Sequence, residues 1–213
     1  MKLMLDDQVF LLFGYVGTPT VTRVLPILKK FQDQNILLFF PFTGAQPQRE
    51  PPYGTFAFNL RASYRQETAG LVDNFVRINR RRIAVFYQAD AYGRSGWAGV
   101  RSALKKHGEQ IVGEATYRRG ERFTGTMRKQ VEILKEAKPE AVICIGAYAA
   151  CAAFARDAVD PLPTCRLSAA KISSSCSPKG ATTASAIRNG WSTPKWCPVT
   201  RTRPYPQSKS TAT

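Results

Sequence analysis

The sequence predicts an α/β fold with parallel sheets, and three observations carry that prediction. Short, nearly continuous apolar runs recur at Val9–Phe13 (VFLLF), Ile36–Phe40 (ILLFF), Ile83–Tyr87 (IAVFY) and Ala141–Ile145 (AVICI). Runs of this kind suit strands covered on both faces, as parallel strands are. Between them lie longer stretches with apolar residues at three- and four-residue spacing, the pattern of amphipathic helices. Strand and helix therefore alternate along the chain, which is the order of βαβ units.

The first run closes in the turn Gly14-Tyr15-Val16-Gly17. A helix is expected over Thr20–Gln34, with Val21, Val24, Leu25, Leu28 and Phe31 on one face and Pro26 removing one hydrogen bond inside it. The second run leads into Pro41–Pro47, and the Pro-rich stretch Gln46–Gly54 reads as a surface loop. Thr55–Leu60 (TFAFNL) reads as an extended crossing segment. Ser63 is placed to cap a helix reaching about Asn79, with Leu71, Val72, Phe75 and Val76 on adjoining turns.

The central stretch is Arg81–Gly96: a buried strand, a polar turn over Gln88–Gly93, then a helix from about Arg94 to His107 with Gly108 as its C-terminal cap. Ligands of open α/β folds sit outside the carboxyl ends of such strands, so Tyr92 becomes the first candidate for ligand contact. A strand over Gln110–Thr116, a helix over Gly125–Ala137, the AVICI strand and an alanine-rich helix over Ala149–Ala158 follow.

The net charge of +16 points first to nucleic acid or an anionic membrane. Its distribution weakens that reading, because residues 161–213 hold eight Lys/Arg and no Asp or Glu, while residues 1–160 carry 23 basic and 15 acidic residues, a net +8. A hydrophobic content of 44% allows a sizeable core. The five cysteines form no C-x-x-C pair and His107 is the only histidine, which argues against a zinc site. No apolar run is long enough for a membrane span. No signal peptide is read either, since Met1–Leu5 is followed at once by two aspartates.

The turn from Gly14 to Thr20 follows a strand and opens a helix, so its N–H groups and hydroxyls could favour a phosphate or carboxylate; from the residues alone an ordinary tight turn with a threonine cap is the favoured reading. It is not a P-loop, because no G-K-[ST] follows. Gly93-x-x-Gly96-x-x-Gly99 departs from the dinucleotide spacing, which leaves Tyr92-Gly93 as a structural bend or a cleft wall. Ser95 lacks the G-x-S-x-G elbow, and neither Ser nor Cys has a convincing histidine partner. His107 reads as a solvated last-turn residue. Arg77, Arg80, Arg81 and Arg82 read as a solvated helix end, with nucleic-acid contact as the alternative. Asp90 reads as shaping its turn.

Four stretches taken in order, VFLLFGYVGTPT, LLFFPFTGA, IAVFYQADAYGRSG and AVICIGAYAA, resemble the type I periplasmic binding proteins, and within them the leucine/isoleucine/valine-binding receptors of ABC importers. The resemblance covers residues 6–158. It implies two Rossmann-like lobes with parallel sheets, both incomplete: a partial first lobe over 1–60 and a partial second lobe over 61–160. It also implies a non-enzymatic, periplasmic protein without cofactor or metal, which binds a small amino acid or carboxylate between the lobes. An ABC membrane permease is the implied partner, and no nucleic acid is expected. By the same resemblance Thr18 and Thr20 would meet the ligand carboxylate, Thr43, Gly44 and Ala45 its ammonium, and Tyr92 and Tyr148 would form aromatic walls.

The chain departs from the family pattern at both ends. A leader and a first β-α-β unit would precede Asp7, and a further strand with an acidic contact would follow Val159. Residues 161–213, with 17 Ser/Thr and seven Pro, are instead expected to form a disordered basic tail, read as out of frame. On this expectation the chain is a truncated receptor with weak or no binding. The competing reading is a nucleic-acid or anionic-surface binder acting through the basic tail.

Overall fold

The computed structural model describes residues 2–169. Its elements run α1 (Lys2–Leu5), β1 (Leu11–Phe13), α2 (Thr18–Lys30), β2 (Leu37–Phe39), β3 (Ala57–Phe58), α3 (Tyr64–Arg77), β4 (Ile83–Gln88), α4 (Ala91–Lys106), β5 (Glu114–Tyr117), α5 (Arg128–Glu136), β6 (Ala141–Ile145), α6 (Tyr148–Ala158) and β7 (Arg166–Ala169). Every strand pair is parallel. One sheet has the order β1-β2-β3 and the other β5-β4-β6-β7.

The second sheet shows why its strands read as unbroken apolar runs. Ile83 and Val85 of β4, with Ala141, Ile143 and Ile145 of β6, face α3 and α4. Ala84 and Phe86, with Val142 and Cys144, face α5 and α6 on the other side. Each strand thus feeds two cores, and alternation cannot appear in its sequence. In the first sheet Leu12, Leu38 and Ala57 pack on Val21, Leu25 and Leu28 of α2. The alternate residues Phe13 and Phe58 stay exposed.

The helices start where side chains can close their first turn. Ser63 Oγ accepts from Gln66 N at 3.2 Å while Gln66 Oε1 accepts from Ser63 N at 2.8 Å, a reciprocal capping box for α3. Asp90 Oδ1 accepts from Tyr92 N at 2.9 Å and from Gly93 N at 3.1 Å, so α4 begins at Ala91. The expected polar turn over Gln88–Gly93 is therefore corrected: Tyr92 and Gly93 belong to the first helical turn, because Asp90 satisfies its free amides.

The three α4 glycines are packing devices. A Cβ on Gly93 would lie 1.9 Å from Gln88 O, one on Gly96 2.7 Å from Ile145 Cγ2, and one on Gly99 2.4 Å from Thr68 Oγ1. They let α4 press against β4, β6 and α3. His107 closes the far end of α4 and meets Asp73 of α3, Nε2 to Oδ1 2.7 Å.

Other expectations shift for identifiable reasons. Within Thr55–Leu60, Ala57 and Phe58 pair with Leu38 and Phe39 as a third strand, after which the chain passes to α3 and the core of the second sheet. The Gln46–Gly54 stretch is not wholly surface, since Gln48 is fully buried and its Nε2 donates to Thr43 O at 3.2 Å. The arginines after α3 are latches. Arg80 Nη1 donates to Glu140 O and Thr164 O, Arg82 donates to Ala137 O and Lys138 O, and Arg81 pairs with Glu109.

The boundary expected at residue 160 also moves. Leu167 and Ser168 are buried in β7, where Leu167 pairs in register with Val142. A four-residue strand preceded by prolines is too short to show a period. The rest of the tail expected over 161–213, with its out-of-frame reading, falls on residues 170–213 and lies outside the described residues.

Candidate functional site

The loops that follow β1 and β2 come together at the carboxyl ends of their strands. Val16 bridges Phe42, Gly17 N donates to Phe42 O at 3.2 Å, and Phe42 N donates to Tyr15 O at 2.7 Å. Gly17, with φ of 94°, adopts a left-handed conformation suited to glycine and hands the chain into α2. This brings Thr18 and Thr43 within 2.7 Å, hydroxyl to hydroxyl.

A third hydroxyl joins them from the first residue of α3. Tyr64 Oη lies 3.2 Å from Thr18 Oγ1 and 3.4 Å from Thr43 Oγ1. Tyr64 is held by its own amide, which donates to Gly44 O at 2.7 Å, and its ring fills the space a Gly44 side chain would need. Ala45 N donates to Thr43 Oγ1 at 3.2 Å. All three hydroxyl residues are buried, so the cluster satisfies polar groups that would otherwise be costly to enclose.

The second sheet contributes the start of α4. Tyr92 packs on Tyr64 with ring centroids 5.3 Å apart, and only 7% of it is exposed. Burial, more than the neighbouring Tyr64, holds its phenol far above the ordinary tyrosine range, so it stays protonated. Its enclosed hydroxyl has no hydrogen-bond partner among the described residues.

Between these parts lies a cavity of about 310 Å³. Thr18 and Thr22 of α2 form one wall, Ala45 and Pro47 of the loop after β2 another, and Ala91, Arg94 and Ser95 of α4 the third. The lining offers hydroxyls, one guanidinium and small apolar groups. Such a surface can orient a small polar solute, and among the described residues lining it no nucleophile has an adjacent base. Among the described residues no group of three His, Cys, Asp or Glu side chains is placed to hold a metal ion.

The seven residues expected at the ligand divide clearly. Thr18 and Ala45 line the cavity. Thr43 stands behind it, bonded to Thr18, and Gly44 is pressed against Tyr64. Tyr92 is buried beside the cavity rather than lining it. Thr20, two residues after Thr18 in α2, is exposed and outside the lining. Tyr148 opens α6 at 70% exposure and is not among the lining residues. There the preceding turn is strapped down by Ala147 N donating to Tyr117 Oη at 2.7 Å.

Arg94, Thr22 and Tyr64 were not among the expected contacts. Thr22 lies one helical turn beyond Thr18 in α2, and Arg94 lies in the first turn of α4 across the cavity. Tyr64 carried no signal, because nothing local shows that a helix start approaches loops 21 and 46 residues away.

Residues 1–160 match the family model described as periplasmic binding protein. Solved structures agree in fold. A possible leucine/isoleucine/valine-binding protein from Rhodopirellula baltica is 31% identical, with a TM-score of 0.67 over 79% of this chain and 45% of that one. A substrate-binding periplasmic protein from Ralstonia solanacearum is 27% identical, with a TM-score of 0.66 over 79% and 46%. A leucine-binding protein from Thermotoga maritima, 16% identical, shares the fold at a TM-score of 0.66 over the same shares. The chain thus spans less than half the length of these relatives. No curated protein matches the sequence. The parallel sheets, the paired loops at their carboxyl ends and the family match agree, and the chain belongs to the periplasmic binding proteins, solute-binding proteins of the type I fold.

Proposed function

We propose that the chain binds a small carboxylate solute, a branched-chain amino acid or a close chemical relative, as the receptor component of an ABC importer acting in the periplasm. The observation that carries this reading is the cavity itself, walled by the loops after β1 and β2 on one side and by the first turn of α4 on the other. In open α/β folds, ligands occupy the crevice outside the carboxyl ends of the strands. The family match and the 31% identity to a possible leucine/isoleucine/valine-binding protein support this solute class. The role is non-enzymatic: the two lobes close on the solute by hinge motion and present it to a membrane permease.

Pro47 and Arg94 leave the cavity open, so affinity on the order of 1 mM is expected for the chain alone. Calorimetric titration with leucine, isoleucine, valine and small carboxylates checks it. Thr18→Val is expected to weaken binding several-fold, since it removes a hydroxyl from the wall. Solute binding that Thr18→Val and a cavity-filling Ala91→Phe leave unchanged would place the site elsewhere.

A further inference from the structure

Among the described residues, Arg94 is the only charged side chain in the cavity lining. Its position is built rather than incidental. Arg94 N donates to Asp90 O at 3.0 Å, and the turn carrying it is locked by the Asp90 carboxylate and by Gly93 pressed onto Gln88 O. The side chain is exposed and makes no ion pair among the described residues. Its charge does reach the Tyr87 phenol on the neighbouring strand end.

The nearest acid in sequence, Asp90, is committed to the helix amides and to Gln88 Nε2. A guanidinium presents a planar fork of donors that matches a carboxylate and repels an ammonium. Thr22 Oγ1 already donates to Thr18 O at 2.8 Å and can only accept from a solute, whereas the Ser95 hydroxyl can bond to either group. In a cavity of about 310 Å³, an ammonium on the solute would sit within a few ångströms of Arg94, where like charges repel appreciably.

We infer that Arg94 sets the charge of the solute, so that the cavity takes a small monocarboxylate bearing an oxo, hydroxy or hydrogen substituent in preference to the zwitterionic amino acid of the same skeleton. This rests on the cavity being the solute site, as proposed above.

The test titrates the full chain with ketoisocaproate, leucine and the neutral isocaproamide, which share one branched skeleton and differ in charge. Ketoisocaproate is expected to bind at least about tenfold tighter than either of the others. Arg94→Ala should cost at least about tenfold for ketoisocaproate, and Arg94→Lys should restore part of it, with circular dichroism confirming that both variants fold. Equal affinity for leucine and ketoisocaproate, or an Arg94→Ala variant within about twofold of the parent, overturns selection by Arg94 and leaves the cavity reading standing. Failure of all three probes to bind the parent chain, or an Ala91→Phe variant that binds like the parent, overturns both.

Discussion

Gly93 and Asp90 act at the same corner for opposite reasons. Asp90 supplies acceptors that the first turn of α4 needs, and Gly93 withholds a side chain where Gln88 O already stands. Because the obstructing atom is backbone, Gly93→Ala must displace the helix or the strand end. A loss of roughly 3 kcal/mol or more is expected in urea unfolding. Asp157 makes a second prediction. The Arg156 guanidinium first, and then the Met127 amide, hold its carboxyl below the ordinary range against the opposing effect of burial. Its folded pKa is depressed, so its contribution is present above the unfolded value near 4 and is lost as pH falls through the folded value. Stability should therefore drop below about pH 4, and Asp157→Asn should flatten that acid limb in thermal unfolding measured across pH.

At the scale of elements, the order of strands and helices was legible because each buried strand is a compact apolar run and each helix carries a 3.6-residue stripe. Ser63 announced α3 through a capping box that is wholly local. The start of α4 was misplaced because an Asp followed by Ala, Tyr and Gly reads equally well as a turn. Only the packed helix shows that Gly93, Gly96 and Gly99 share one close-packed face. Gly96→Ala is expected to cost about 1–3 kcal/mol, since Ile145 can yield only partly, and less than Gly93→Ala, where no side chain can move aside. Equal losses in the two variants, measured by chemical denaturation, would count against this account. The candidate site was legible in part: Thr18 and Ala45 lie where the strand ends point, while Arg94 joins the lining only because the first turn of α4 faces those loops across the cavity.

Over the whole molecule, the two sheets differ in how they are covered. The second sheet carries helices on both faces. The first carries α2 on one face, while its other face shows Phe13, Phe39 and Phe58 side by side across three strands, with Phe39 and Phe58 stacked at 4.6 Å. Phe13 is 69% and Phe58 46% exposed. Parallel sheets are ordinarily buried on both faces, and an open aromatic patch of this kind favours association. The chain is expected to self-associate with rising concentration and to bind a hydrophobic dye. Phe13→Ser with Phe58→Ser should reduce both, as read by sedimentation velocity and dye fluorescence, because these side chains point away from the α2 core. Unchanged association in the double variant would show that another surface is responsible.

The sequence by itself determined the parallel α/β class, most of the elements and the two strand-end loops where a solute could sit, because these depend on period and capping within a few residues. Tertiary structure alone decided which groups meet: the hydroxyls of Thr18, Thr43 and Tyr64, separated by 25 and 46 residues, and the guanidinium of Arg94 across the cavity from α2. It also decided that β7 joins the second sheet and that, among the described residues, one face of the first stays open. These outcomes depend on how close two distant backbones approach. That distance is set by glycines and buried side chains acting together, and no local pattern records it.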